Sequence, residues 1–329
     1  MDKKNQMDDN KKQDIMVTIK KIEIKDYFGK GNFEWNLDPV VNILGGKNGS
    51  GKSTLFKLCY ALLINERIDS KTDKQFSALF EKVTLTLSND WKIVWIKPEL
   101  RKEYILKLSS STPQQYRDII LLNQNGKLQD QSKRKEFVNV FMINSFEQNI
   151  ASLINRIQNQ KHLLGAGMEA TSLDSLIDNE INLRNKNLSA AVDKYMDESA
   201  DDIDALNLYK KKHNMINASL NDFMTEYEKK ISSDFVFSKK EEKIPWQNLS
   251  MGEKQILLLL LMVSNTQQQP CIFFMDEPDL SMHIDWKEIL VKELHELNPN
   301  MQIILSTHAP SVITGWHDKV KEVNQLIKK

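Results

Sequence analysis

The ten residues GGKNGSGKST, 45–54, leave a chain few ways to fold. They follow the apolar run VVNIL and precede Leu55–Ile64, which reads as a helix with a continuous apolar face. Within them Gly46-Lys47-Asn48-Gly49-Ser50-Gly51-Lys52-Ser53 fits the spacing G-x-x-x-x-G-K-[ST]. A strand, a glycine-rich turn and a helix in that order let backbone N–H groups converge on one point. The helix N-terminus adds a partial positive charge there. Such a cradle suits phosphate oxygens. Gly46, Asn48, Gly49, Gly51, Lys52, Ser53 and Thr54 are therefore the candidate phosphate-binding residues, with Lys52 reaching β- and γ-phosphates and Ser53 a Mg²⁺ ion. The plainer alternative is a glycine-rich turn carrying an exposed lysine, and the flanking strand and helix speak against it.

Three later segments carry chemistry of a matching kind. Cys271-Ile272-Phe273-Phe274-Met275 reads as a buried strand that delivers Asp276 and Glu277 at its C-terminal end, where α/β sheets bind ligands. Neighbouring strand side chains point to opposite sides, so Asp276 is assigned to the Mg²⁺ shell and Glu277 to the water that attacks phosphate. Alone, an acidic pair at a strand end is usually a solvated turn; a phosphate loop on the same chain changes that weighing. Leu249-Ser250-Met251-Gly252-Glu253 has two compatible readings. Ser250 and Glu253 form a helix capping box, and Ser250, Gly252 and Glu253 also make a helix N-terminus able to hold an anion, including one bound by another copy of the chain. Finally, Ser306-Thr307-His308-Ala309-Pro310 follows the strand MQIIL, which places His308 where it could sense a terminal phosphate.

The rest of the chain organises around these segments. Residues 1–14 read as a disordered polar tail. VTLTLSN, WKIVWIK, YILKLSS and RDIILLN, within 82–123, read as an antiparallel meander. Lys127–Glu136 is a polar connector before another apolar run, FVNVFMIN. Between Gln148 and Leu249 glycine and proline nearly vanish, and helices are expected over 150–164, 173–196 and 203–231. The expected domains are thus 15–149 with 244–329 as the nucleotide domain and 150–243 as a helical insert lobe. From Cys271 onward, strands alternate with helices, which implies parallel pairing through crossovers.

Composition narrows the classes. Forty per cent apolar residues suffice for a core, and 45 basic against 45 acidic residues argue against a globally cationic DNA coat. Cys59 and Cys271 both sit among apolar neighbours and read as buried thiols in a reducing compartment. The longest apolar run, Ile256–Val263, is far shorter than the roughly 20 residues that span a bilayer. A cytoplasmic location without a membrane partner is the expectation.

The order of phosphate loop, LSMGE, CIFFMDEP and STHAP resembles the ATP-binding-cassette superfamily. It is most similar to the soluble branch that holds structural-maintenance-of-chromosomes ATPases, the overcoming-lysogenization-defect family and stand-alone ATPases of bacterial anti-phage systems. The likeness covers about 15–64 and 244–324. It implies an α/β P-loop fold of the cassette type, with a mixed sheet, an antiparallel β-subdomain and a helical insert. It also implies ATP and Mg²⁺ as ligands, and a head-to-tail homodimer with each ATP between one copy's phosphate loop and the other's Ser250. Gln148 is the implied glutamine at Mg²⁺ and the attacking water, with Gln124, Gln129 and Gln131 as alternatives. Where transporter cassettes carry an aspartate after Leu280-Ser281-Met282, this chain has His283. Tyr27 or Phe28 is the candidate for adenine stacking.

The resulting expectation is an ATP-hydrolysing switch, a homodimer or a higher oligomer built from dimers. It would control a separate effector protein, with a nuclease one candidate, in anti-phage defence. About twenty residues follow STHAP, too few for a fused nuclease domain. A DNA-binding repair or chromosome-organising ATPase is the alternative, leaving nucleic acid open as a partner through the lysine clusters at 133–135, 210–212 and 239–240. A transporter subunit fits least, because the helical region before LSMGE is too long for one.

Overall fold

The computed structural model describes residues 17–64, 68, 70–108, 118–130, 133, 139–143, 173–197, 203–224, 229–231, 235–279 and 282–328. The tail at 1–14, the helix expected at 150–164, Gln148, Gln131, Leu280 and Ser281 lie outside the described residues.

The described chain opens on strands β1 (Ile19–Lys25), β2 (Asn32–Asn36) and β3 (Val41–Gly45), followed by helices α1 (Lys52–Ile64) and α2 (Ser70–Ser77). Next come β4 (Lys82–Leu87), β5 (Lys92–Ile96), α3 (Pro98–Leu108), β6 (Ile119–Leu122) and β7 (Asn139–Ile143). Helices α4 (Leu173–Asp197) and α5 (Ile203–Met224) lead to β8 (Lys229–Ile231), β9 (Val236–Lys239) and β10 (Glu242–Pro245). The chain then runs through α6 (Met251–Ser264), β11 (Cys271–Asp276), α7 (Ile284–Leu297) and β12 (Met301–Ser306). It finishes with β13 (Val320–Glu322), α8 (Val323–Leu326) and β14 (Ile327–Lys328).

Five strands pair in parallel in the order β13-β3-β12-β11-β7. Six pair antiparallel in the order β14-β2-β1-β4-β5-β6. This mixed α/β architecture is the expected class, and VTLTLSN, WKIVWIK and RDIILLN supply β4, β5 and β6 as read. A third sheet, β10-β9-β8, was not anticipated.

The position of β11 between β12 and β7 explains why CIFFM is continuously apolar, and all six strand residues are buried. Its alternate side chains enter different cores. Ile272 and Phe274 pack with α1 and the antiparallel sheet, whereas Cys271, Phe273 and Met275 pack with α4, α5, α6 and α7. Both cysteines are fully buried, and burial pushes the Cys59 thiol well above its ordinary range. No helix among the described residues is long and apolar enough to cross a membrane.

Two elements depart from expectation. YILKLSS does not form a strand; Tyr104–Leu108 is the last turn of α3. Pro98 opens that helix where its missing N–H costs nothing, and Arg101, Ile105 and Leu108 recur at helical spacing. Ile105, with partly buried Tyr104 and Leu108, covers Val94, Ile96, Ile120 and Leu122 on the outer face of the antiparallel sheet. The apolar alternation across Y-I-L-K-L was read with the wrong period, since Leu106 is turned outward at 44% exposure. The helix expected over 203–231 stops at Met224, and 229–231 instead joins β9 edge to edge.

The two large sheets are joined by polar and backbone contacts as well as by packing. Gln302, fully buried in β12, accepts from Ile19 N–H at 2.8 Å through its side-chain carbonyl. Its amide donates to the carbonyls of Ile19 (2.9 Å) and Asp38 (2.8 Å). The 320–328 segment spans both sheets, with β13 beside β3 in one and β14 beside β2 in the other.

Candidate functional site

β3 ends at Gly45, and the chain turns sharply before α1 begins at Lys52. Gly46 has φ 146°, and a Cβ there would stand 3.0 Å from Ser50 Oγ and 3.2 Å from Val323 Cγ2. The loop is therefore folded tightly on itself and on α8, while Lys47, Asn48 and Gly49 form its exposed crest. Ser53 and Thr54 are half-buried in the first turn of α1, beside Lys52.

Lys52 is 5% exposed. Its ammonium donates to the Gly46 carbonyl at 2.8 Å and lies 2.8 Å from His308 Nε2. Burial lowers its pKa below the usual lysine value, against the raising influence of Glu277, Asp276 and Glu322. His308 Nε2 is also 3.2 Å from Glu277 Oε1. One imidazole nitrogen thus stands between the loop lysine and the strand-end carboxylate, across segments 31 and 256 residues away in sequence.

The two acidic residues have different surroundings, Asp276 ending β11 and Glu277 lying just past it. Asp276 is buried and its Oδ1 accepts from Ser306 Oγ at 2.6 Å, which fixes the carboxylate at the ends of β11 and β12. Glu277 is partly exposed and its carboxylate meets His308. Its φ of 49° is a left-handed conformation that costs a non-glycine residue about 1–2 kcal/mol. A hydrogen bond from its N–H to the Ser306 carbonyl, 2.9 Å, holds it there.

Asp279 was missed in the sequence reading. It is 4% exposed, its Oδ1 accepts from Thr307 Oγ1 at 2.9 Å, and its Oδ2 pairs with Lys287 at 3.3 Å. Thr307 Oγ1 in turn accepts from Ala309 N–H, so Asp279 fixes the loop that carries His308. Three residues past the end of β11, an aspartate looks like any turn residue, and only the fold brings Thr307 to it.

Ser250 caps α6 as the capping box requires: its N–H donates to Glu253 Oε2 at 2.7 Å, and its Oγ accepts from Glu253 N–H at 3.4 Å. Gly252 and Glu253 are buried, whereas Ser250 is exposed and Met251 is 59% exposed. The two hydrogen bonds of the box tie Ser250 to Glu253 in its own helix cap. Further polar ties bind α6 to α4: Lys254 to Asp174 at 2.8 Å, Ser264 to Arg184 at 2.9 Å, and Asn265 to Glu180 at 2.8 Å. His283 caps α7 and pairs with Asp285 at 2.7 Å.

Tyr27 does not suit adenine stacking. It is fully buried behind the phosphate loop, with its ring stacked on Phe33 and Phe80. Phe28 is half-buried beside it.

Comparison with known proteins gives three kinds of likeness. A 133-residue stretch is 31% identical to the Retron Vc95 probable ATPase of Vibrio cholerae serotype O1 biovar El Tor. That stretch covers 35% of this chain and 26% of that protein. Among solved structures, the SMC head domain from Thermotoga maritima matches at TM-score 0.49 and 14% identity, over 92% of this chain and 94% of that one. The recombination mediator protein RecF-ATPrS of the RecFOR pathway matches at TM-score 0.44 and 12% identity, over 90% of this chain and 94% of that one. The fold assignment rests on the strand order given above rather than on these two. The family described as "AAA domain, putative AbiEii toxin, Type IV TA system" matches residues 95–314, two thirds of the chain, and the chain belongs to that family.

Proposed function

We propose that this chain binds and hydrolyses ATP, dimerises around two ATP molecules, and uses that cycle to control a separate effector protein in anti-phage defence. The observation that carries the enzymatic part is the contact series Lys52–His308–Glu277, at the C-terminal ends of β3, β12 and β11. Lysine, histidine and carboxylate converge there on the open mouth of a loop built for phosphate. The defence role is drawn from the likeness to the retron ATPase, which the chain matches over about a quarter of that protein's length.

The donor set also fits a hard cation. Ser53 and Asp276 offer oxygen only, and Asp276 is already oriented by Ser306. A set with few protein oxygens suits Mg²⁺, an ion that keeps waters and phosphate oxygens in its shell. When bound, Mg²⁺ would neutralise phosphate charge. Gln148, assigned to the same shell, lies outside the described residues.

Lys52 would leave the Gly46 carbonyl and His308 for the β- and γ-phosphates. Glu277 would then take a proton from the water whose oxygen attacks the γ-phosphorus, as the bond to the bridging oxygen breaks and ADP departs. His308, released from Lys52, would contact the γ-phosphate. Ser250, exposed at the N-cap of α6, would serve the loop of a second copy. The ties of Lys254, Ser264 and Asn265 to α4 would carry the closure of that site into the helical lobe, the proposed effector surface.

Two substitutions test this. Lys52→Ala should abolish Mg·ATP binding, read by equilibrium titration. Glu277→Gln should retain binding, lose hydrolysis by about 10²-fold or more, and accumulate an ATP-dependent dimer visible in light scattering. ATP affinity unchanged in the first, or hydrolysis intact in the second, would falsify the assignment of that residue.

A further inference from the structure

The connection between β1 and β2 is the most strained turn near the phosphate loop. Asp26 (φ 59°) and Phe28 (φ 53°) both adopt the left-handed conformation, which a bulky residue such as phenylalanine rarely takes. The turn is held regardless: Tyr27 N–H donates to the Gly31 carbonyl at 2.7 Å and Phe28 N–H to the Leu79 carbonyl at 2.8 Å. Strain kept in place by several contacts marks a position the fold over-determines, and here it drives two aromatic rings beneath residues 50–51. Phe28 packs edge-on to Tyr27 and Phe80, with centroids 4.8 and 5.2 Å apart.

The Tyr27 side chain has one polar atom, and it touches the loop. Its Oη donates to the Ser50 carbonyl at 2.9 Å. Burial pushes the phenol's pKa well above its ordinary value, so the group is a neutral donor at any working pH. At Gly51 (φ 99°) a Cβ would overlap the edge of the Phe28 ring and lie 2.6 Å from Tyr27 Oη. Only glycine lets the rings approach this closely.

A trans peptide points its C=O and N–H in opposite directions. Anchoring the Ser50 carbonyl on Tyr27 therefore turns the Gly51 N–H away from the aromatic core, toward the mouth of the loop. The opposite peptide orientation would aim a carbonyl at incoming phosphate oxygens and repel them. We infer that Tyr27 is a positioning residue: its hydroxyl locks the Ser50–Gly51 peptide in the orientation that receives an anion, with Phe28 wedging the same peptide from below. This rests on the nucleotide reading of the loop and replaces adenine stacking as the role of Tyr27.

The test uses the full chain with Tyr27→Phe, which keeps the buried ring and removes only the hydroxyl. Mg·ATP and Mg·ADP affinities should fall about ten-fold, the equivalent of losing one favourable peptide orientation worth about 1.4 kcal/mol. KM should rise with them, and kcat at saturating ATP should stay within about two-fold, since the lock acts on binding and not on Glu277. Leu85→Val, a core change in the middle of β4, serves as the stability control. A structural role alone would lower the melting temperature of both variants without separating KM from kcat. Wild-type KM in Tyr27→Phe, or an equal rise in Leu85→Val, would overturn the inference. If wild type and Lys52→Ala bound Mg·ATP equally, the nucleotide reading itself would fail, and this inference with it.

Discussion

Gln302 interrupts MQIILS, an otherwise apolar strand, and the fold gives it three backbone partners in two other segments. Gln302→Leu would keep the volume but strip the acceptor from a buried N–H at Ile19. The expected cost is about 1–3 kcal/mol, measured as a lower denaturant midpoint, with ATP affinity unchanged. A midpoint at the wild-type value would mean that Ile19 finds another acceptor. The contrast with the site residues is instructive. Lys52, Asp276, Glu277 and His308 were legible because phosphate chemistry demands particular side chains at fixed distances from a strand end. Tyr27, Asp279 and Gln302 were not, because each acts through a contact with a segment 23, 28 or 283 residues away, which local pattern does not encode.

Elements were legible where one period dominated. β11 and α6 are built on the apolar runs Cys271–Met275 and Ile256–Val263, and the capping box at Ser250 marked the start of α6. α3 was misread because Tyr104–Leu108 satisfies both periods over five residues, and Pro98, not periodicity, carried the deciding signal. β14, only two residues long, has no sequence signature at all, yet its attachment is testable. Lys328 Nζ bonds Glu34 Oε2 at 2.6 Å across β14 and β2, and Lys21 flanks the same carboxylate at 2.9 Å. These two lysines, Lys328 first, hold the Glu34 pKa down to about 2 from 4.5. A depressed carboxylate pKa gives stability that is present above the unfolded value and lost as pH falls through the folded one. The melting-temperature gap between wild type and Glu34→Gln should therefore be constant above about pH 4.5 and close toward pH 2. A gap that persisted undiminished at pH 2 would point to packing in place of charge.

At the scale of the whole molecule, the proposed pairing of two copies is tested at Ser250, whose hydrogen bonds go to Glu253 in its own helix cap. In a two-fold dimer each contact made by one protomer is returned by the other. Lys52→Ala and Ser250→Arg should each be inactive as homodimers. Co-expressed in equal amounts, half the dimers are mixed, and each mixed dimer collects both defects in one site and leaves the other intact. Recovered ATPase activity should approach about a quarter of wild type for independent sites, and less where closure needs both ATPs. Full activity in the Ser250→Arg homodimer would reduce LSMGE to its helix cap. Exposed Met251 and Ile284, each 59% accessible at the first turn of α6 and of α7, are where apolar contact with that second copy is expected. The seam formed by 320–328 bears on how the molecule comes into being on a ribosome. β3, which carries the phosphate loop, emerges early, but its neighbours β12 and β13 emerge only after more than 250 further residues. Until then two strand edges stay open, and no nucleotide can reward the nascent chain for partial order. Such a high contact order makes for slow assembly, so the newborn chain depends on protection from aggregation until β12 and β13 have been added.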